Sequence, residues 1–344
     1  MTSTRQSANS VAKVVILNYN GEQTLRRFLP SVVANTPPEV GVVVADNGSA
    51  DGSVELVERE FPTVEVIKLD RNYGFAGGYN RALREVAADY FILLNSDVET
   101  PAGWCEPLIE YLDNHPDTAA VAPKLLSYDH PVEFEYAGAS GGFIDALGYP
   151  FCRGRILGTV ERDAGQYDDA REVFWATGAC FACRAEVFWA KGGFDDDFFA
   201  HQEEIDLCWR MQLTGWRIAV EPRSRVYHLG AGTLPPSPAK VYLNHRNNLA
   251  MLYKNLPARR LWAVIGVRMI LDGVLAVGYL LRGKRADFNA VWSAHRDFCK
   301  MRREKLRARR RAIQLLATAR PTGIYRGSIV LRYLLGRHTF DHLL

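Results

Sequence analysis

The sequence predicts an α/β fold, a mostly parallel sheet flanked by helices, with a basic helical extension at its C-terminal end. Three observations predict it. Short apolar runs alternate with segments whose apolar residues recur at helical spacing, and repeated strand–helix alternation gives parallel sheets with right-handed crossovers. Each apolar run stops at a cluster of Asn, Asp, Ser or Gly, which gathers polar residues on one edge of the sheet. The formal charge of +3 is unevenly divided: residues 1–235 hold 20 Lys and Arg against 34 Asp and Glu, residues 236–344 hold 22 against 5. An acidic body with a basic tail suggests chemistry in the first part and attachment to an anionic surface in the second.

Residues 1–10 are polar and expected to be disordered. A β-branched strand at 11–17 ends on Asn18-Tyr19-Asn20-Gly21, and Leu25, Phe28, Leu29, Val32 and Val33 then mark a helix. A second strand at 40–45 ends on Asp46-Asn47-Gly48-Ser49, with a helix from Ser53. A third at 64–69 stops at Asp70-Arg71-Asn72. The turn that follows, with Gly74, Gly77 and Gly78, opens a helix. It is not G-x-G-x-x-G and it follows the third strand, so it supports no dinucleotide fingerprint. Two readings stay open for it: close backbone approach to a phosphate or sugar, or tight helix–strand packing. Residues 91–99, FILLNSDVE, read as a strand buried on both faces that delivers Asn95 and Asp97 to the same edge.

Further along, a helix carrying Trp104, Leu108 and Leu112 leads to a strand at 119–122. Residues 124–172 read as an irregular, Gly- and Tyr-rich insert facing the polar edge. The six cysteines are scattered and no secretory signal precedes them, so reduced thiols in a cytosolic setting are expected. Cys180 and Cys183 lack a second pair for a zinc site and read as buried structural residues. In HQEEIDLCWR, a helix begins near Glu203. Its first turn holds Glu203, Glu204 and Asp206, acids a helix N-terminus tolerates but in greater number than a cap requires. A first-turn acid pointing into a cleft is a good general base. His228 ends the next strand, and its worth depends on meeting Asp97.

Taken together, these residues resemble the inverting family 2 glycosyltransferases of the GT-A (Rossmann-like) fold, and among them the rhamnosyltransferase-like bacterial branch. The matching segments are VVILNYNG, VVVADNGSADGS, RNYGFAGGYN, LLNSDVE, TGACF, HQEEIDLCWR and VYHLGAGTL, in the expected order between residues 14 and 234. The resemblance implies a catalytic domain over residues 11–235. It implies that Asn20 and Asp46 hold the base and ribose of a nucleotide-diphosphate sugar (dTDP-rhamnose or a UDP-sugar), with Tyr19 packed on the base. Asn72, Gly77 and Gly78 would line the sugar-phosphate path. Asp97 matches the last acid of a D-x-D motif and would bind a divalent metal, Mg²⁺ or Mn²⁺, on the diphosphate, with His228 completing the site. Asn95 stands where the motif's first acid would be, which leaves fewer charged ligands. Glu204 matches the catalytic base, with Glu203 ranked second and Asp206 third, as a structural or acceptor-binding acid. The chemistry points the same way: inverting transfer needs a stabilised diphosphate leaving group and a carboxylate to deprotonate the acceptor hydroxyl.

Residues 235–238 read as a proline linker into a helix over 240–255, where Arg246 either returns to the diphosphate or lies on the surface. Residues 261–281 are strongly apolar but interrupted by Arg268 and Asp272, each costing ~3 kcal/mol at a bilayer centre, so an interfacial helix with an internal ion pair fits better than a span. KMRREKLRARRR at 300–311 holds eight Lys and Arg around one Glu, each contributing ~1 kcal/mol near an anionic leaflet. A short apolar helix is expected over 324–335. Without an aromatic platform or groove-reading motif, the basic tail argues for an anionic membrane surface and against nucleic acid. The expected protein is a metal-dependent enzyme peripheral to the inner, cytoplasmic face of the cell membrane, acting on a glycan or polyprenyl-linked acceptor. The alternatives are a non-catalytic nucleotide-sugar-binding membrane scaffold and a sugar-nucleotide pyrophosphorylase, the latter lacking a basic glycine-rich triphosphate loop after the first strand.

Overall fold

The structure is a computed structural model and describes residues 11–230 and 237–343. The expected disordered terminus at 1–10, half of the proline linker and the end of VYHLGAGTL lie outside the described residues.

The first half alternates as its periodicity predicts: β1 (Ala12–Asn18), α1 (Glu22–Asn35), β2 (Gly41–Asp46), α2 (Ser53–Glu60), β3 (Glu65–Lys68), α3 (Gly74–Ala82) and β4 (Tyr90–Asn95). β4 lies beside β1, β1 beside β2 and β2 beside β3, all parallel, with Asn18 opposite Asp46 and Leu17 opposite Asn95. This register brings the polar strand ends to one edge. Side chains alternate across the sheet: Val15, Phe91 and Leu93 enter one apolar core, Val14, Ile16, Ile92 and Leu94 the other. Both faces are therefore covered, which is why these strands read as continuous apolar runs.

After β5 (Val98–Glu99) and α4 (Glu106–Asn114), β6 (Thr118–Ser127) enters the sheet. Residues 124–172 depart from expectation. They are not irregular but build most of a second, five-stranded sheet from β7 (Gly142–Asp145), β8 (Pro150–Cys152), β9 (Arg155–Ile156) and β10 (Thr159–Val160). Strands of two to four residues are too short to show a period of two, so sequence pattern does not reveal them. β11 (Arg171–Glu172) returns to the main sheet, and β12 (Cys180–Arg184) runs antiparallel between β4 and β6, with Cys180 and Cys183 fully buried.

α5 (Ala185–Ala190) and α6 (Glu203–Leu213) precede β13 (Arg217–His228), a single strand with an irregularity between Glu221 and Arg225 where two short strands were expected. The C-terminal region comprises α7 (Pro238–Asn255), α8 (Ala258–Leu281), α9 (Arg285–Met301), α10 (Arg307–Leu316), β14 (Ile324–Tyr325) and α11 (Ile329–Leu334). The helix expected over 324–335 thus starts late, because Ile324 and Tyr325 pair with Ile144 and Asp145 of β7. Leu249, Met251 and Leu252 of α7 are fully buried in the same core as α6, so packing runs across the boundary expected near 235.

Candidate active site

A cleft of about 890 Å³ opens along the polar edge of the main sheet. One wall carries Tyr19, Asn20, Asn47, Asn72, Asn95 and Asp97 from the ends of β1–β4, and the floor carries Glu203, Glu204 and His228. The opposite wall takes Glu135 and Tyr136 from the loop between β6 and β7, and Tyr149, Arg155 and Leu157 from β9 and the turns of the second sheet, so the 124–172 segment does face the active edge.

Asn20 adopts a left-handed conformation (φ 49°), which Asn tolerates better than most side chains. Its backbone N–H donates to Ser49 Oγ (2.8 Å) and its side-chain oxygen accepts from the Ala50 N–H (2.8 Å). Tyr19 beside it is half exposed in the cleft. Asp46, expected to touch the ribose, lies behind this wall: it is buried and accepts from Asn18 Nδ2 (3.0 Å) and the Ser49 N–H (2.9 Å). Asn47, not singled out in the sequence, lines the cleft instead and donates to Asn72 Oδ1 (3.1 Å). Gly77 and Gly78 also stand away from the lining. A Cβ on Gly78 would come within 2.9 Å of Leu17 Cδ2 and of Asn47 Nδ2, so glycine here serves close packing behind the cleft wall.

β5 explains how Asp97 meets His228. Val98 pairs opposite His228 in β13, which sets His228 Nε2 3.1 Å from Asp97 Oδ1. Asn95 Nδ2 lies 3.4 Å from the same ring nitrogen, and Glu135 is 3.4 Å from Nδ1 on the other side. Burial alone would lower the His228 pKa, but hydrogen bonds and charge from Asp97 and Glu135 outweigh it and raise the pKa to about 10.

Phe199, His201 and Gln202 precede α6 with φ of 65°, 71° and 73°, a costly run of left-handed non-glycine residues of the kind that collects at functional sites. α7 holds this turn in place. Asn247 Nδ2 lies 2.8–2.9 Å from the carbonyl oxygens of Phe198, Ala200 and His201. Asn248 Nδ2 reaches Gln202 Oε1 (3.1 Å), and Arg246 donates to the Asp197 and Phe198 carbonyls (2.8 and 3.1 Å). Neither reading of Arg246, at the diphosphate or on the open surface, matches this position; its half-buried guanidinium is occupied by loop carbonyls, because the loop leaves oxygens that need donors.

The turn delivers two carboxyls to the cleft. Glu203 is buried at 4 % exposure and Glu204 remains partly accessible. Each has one oxygen, Oε2, buried without a hydrogen-bond partner among the described residues. Burial, followed by repulsion from Glu204, raises the Glu203 pKa well above the ordinary carboxyl range; burial raises Glu204 to about 7. Asp206, the third acid, is fully buried away from the cleft, where it accepts from Arg210 (2.9 Å), Lys254 (2.9 Å) and Asn255 (2.8 Å). It anchors α7 to α6.

The glycosyl transferase family 2 model matches residues 13–190. The chain belongs to this family. N-acetylglucosaminyl-diphospho-decaprenol L-rhamnosyltransferase of Mycobacterium tuberculosis is 26% identical over 306 residues, 83% of this chain and 99% of that protein. Pre-mycofactocin glycosyltransferase of the same organism is 30% identical over 221 residues, 62% of this chain and 42% of that one. Among solved structures, S. aureus TarS 1-349 in complex with UDP-GlcNAc superposes with a TM-score of 0.57 at 16% identity, covering 89% of this chain and 86% of that one. Mannosyltransferase PcManGT from Pyrobaculum calidifontis, with GDP-Man and Mn²⁺, gives 0.52 at 15% identity over 85% of this chain and 88% of that one. The glycosyltransferase fold and class expected from the sequence are thus borne out, as is the likeness to a rhamnosyltransferase.

Sequence reasoning missed Asn47, Glu135, Asn248 and Arg268, which also line the cleft. Asn47 stands inside VVVADNGSADGS and carries a signal, and Asn248 lies two residues after Arg246 in the helix expected over 240–255. Glu135 and Arg268 reach the cleft through tertiary packing that no local pattern encodes.

Proposed function

We propose that this family 2 glycosyltransferase transfers a sugar from a nucleotide-diphosphate sugar, dTDP-rhamnose or a UDP-sugar, to a hydroxyl of a lipid-linked glycan, inverting the anomeric centre. The observation that carries this reading is one cleft joining the polar strand ends to the buried Glu203–Glu204 pair. Tyr19, Asn20 and Asn72 contact the nucleotide, and Glu204, the accessible acid, takes the acceptor proton. The acceptor oxygen bonds to the anomeric carbon as the bond to the diphosphate breaks, and the nucleoside diphosphate departs. A base titrating near neutrality suits this task. Glu203 keeps its proton and relieves the repulsion between two adjacent buried carboxylates.

A divalent cation fits beside the diphosphate. Among the described residues there is no group of three or more metal-binding side chains, but Asp97 and His228 Nε2 converge within 3.1 Å at the cleft wall. Two protein donors leave room for diphosphate oxygens, as hard cations at phosphates prefer. The cation would offset charge on the leaving group; Asp97 and His228 would hold it, once the proton on His228 is released. Neighbours solved with Mn²⁺ favour this cofactor without selecting the metal.

The acceptor class rests on the relative acting on a decaprenol-linked substrate and on α8. That helix is long and apolar enough to cross a membrane, yet it buries Arg268 and Asp272 on its inner side, 3.3 Å apart. Val267, Ile270, Val274, Val277 and Leu281 are exposed on its outer side. Exposed Trp262 and Trp292 and the exposed Arg307 and Arg311 of α10 suit an interfacial seat on an anionic leaflet, on the cytoplasmic face. Arg309 and Arg310 are instead held against the protein by Asp195, Asp197 and the Tyr253 and Leu256 carbonyls. The test is a screen of nucleotide sugars by thermal shift with Mg²⁺ or Mn²⁺, followed by transfer assays with Glu204→Gln. Stabilisation by one donor and loss of transfer in the variant are expected; no stabilisation by any nucleotide sugar refutes the reading.

A further inference from the structure

The cleft does not end at the acid pair. Past Gln202 it continues into a lobe lined by Lys240, Asn244, His245 and Asn248 of α7 and by Arg268, Asp272 and Leu275 of α8. Arg268 is 4 % exposed and pairs with Asp272, yet one of its N–H groups is left without a partner among the described residues. Its Nη1 donates to Asn248 Oδ1 (2.7 Å) and the Leu147 carbonyl (3.2 Å), and Nη2 lies 3.3 Å from Asp272. Its guanidinium stacks 3.7 Å from the centre of the Tyr149 ring. Nε is buried with no hydrogen-bond partner among the described residues. Asp272 also faces His245 (3.9 Å) and His295 (3.4 Å), so this one carboxylate is shared among three side chains.

An unsatisfied guanidinium N–H beside a lysine and two side-chain amides is a site for an anion with several acceptor oxygens. Its position says which one. Asn248 joins Arg268 to Gln202, the residue before the acid pair, while the metal-binding candidates and nucleotide residues belong to the strand ends. Leu275, 43 % exposed, connects the lobe to the apolar outer face of α8. We infer that Lys240, His245 and Arg268 form an acceptor subsite that binds the phosphate or diphosphate linking the acceptor sugar to its lipid. This rests on the transferase reading above and adds residues and a ligand group to it. The acceptor phosphate would then sit between an apolar surface that takes the lipid and the carboxylate that activates the sugar hydroxyl.

The test is calorimetric, on the full chain, with geranyl diphosphate as a soluble probe and geraniol as its uncharged control. Geranyl diphosphate is expected to bind in the presence of saturating UDP or dTDP, with geraniol at least tenfold weaker. Lys240→Ala and Arg268→Gln should each weaken the diphosphate tenfold or more and leave nucleotide affinity unchanged. Because Arg268 is buried, its variant is compared by thermal unfolding, and partly exposed Lys240 provides a variant without that risk. Equal binding of geraniol, or unchanged affinity in the variants, overturns the inference. So does displacement of geranyl diphosphate by the nucleotide, which would give the lobe to the donor, or by phosphatidylglycerol vesicles, which would give it to headgroups. If no nucleotide sugar stabilises the protein while diphosphate binding persists, the transferase reading fails and the acceptor role falls with it, leaving a lipid-diphosphate site only.

Discussion

Replacing Glu204 with Gln should remove activity and add stability, and the two effects separate by pH. The folded protein raises this carboxyl from 4.5 to about 7, with burial the largest cause. Between those values the folded chain holds a proton that the unfolded chain has released, so stability falls as pH rises across that window. At about 1.4 kcal/mol per pH unit this amounts to ~3 kcal/mol by pH 8, an upper figure because Glu203 shares the proton. Gln keeps the shape and stays neutral. Thermal unfolding of the ligand-free protein from pH 5 to 8.5 should show the wild type losing several degrees while Glu204→Gln stays flat. The variant should match the wild type near pH 5 and exceed it at pH 8. In transfer assays the wild-type kcat/KM should rise with pH through the neutral range, as a base must lose its proton to act. The variant should lose about 10²-fold or more in kcat with donor binding retained. Parallel unfolding profiles, or transfer within threefold of wild type, would refute the assignment; Glu203→Gln then becomes the variant to measure.

Asn247→Leu should cost about 1–3 kcal/mol and lower kcat at least tenfold with donor KM little changed, because its amide satisfies carbonyls of the strained turn that aims the acids. Unfolding midpoints and a kcat-versus-KM comparison check it, and a pure KM effect would count against the role. EDTA should abolish both transfer and the nucleotide-sugar thermal shift, with Mg²⁺ or Mn²⁺ restoring them in wild type and not in Asp97→Ala. Metal-independent transfer would remove the roles given to Asp97 and His228. Ile270→Glu with Val274→Glu, at positions 69% and 66% exposed, should reduce sedimentation with anionic vesicles at least tenfold without altering nucleotide affinity.

The parallel half of the fold was legible because its strands are buried on both faces and its helices on one, which imprints distinct periods on the sequence. The strand-end residues Asn20, Asn72 and Asp97 followed from that register. Asp46 misled because it occupies the same edge as its neighbours while its side chain turns inward to Asn18 and the Ser49 N–H. Gly78 is a related case: a glycine required by Leu17 and one required by a phosphate look alike in sequence. The second sheet was illegible because its strands are very short and one of them, β14, arrives from the far end of the chain. Arg246 was read from its place on the helix expected over 240–255, whereas its position depends on a turn whose backbone conformation no residue type advertises.

The structure also changes what the basic tail is for. An appendage that only tethers the protein would leave the cleft complete without it. Instead α7 supplies the amides that brace the acid-bearing turn, and α8 presents two unlike sides: an exposed apolar stripe, and a buried Arg268–Asp272 pair whose arginine reaches the cleft through Asn248. A charged pair on the inner side explains why so apolar a helix need not span a bilayer, since turning it outward would expose both ions to hydrocarbon. On the proposed reading it would also tie attachment to chemistry, because α8 would lie on the membrane by its apolar side and lines the cleft by the other. Detaching the Ile270/Val274 surface should therefore raise the KM for a long-chain lipid acceptor while sparing a short soluble one. Equal effects on both acceptors would mean that α8 positions the cleft only and takes no part in delivering the substrate.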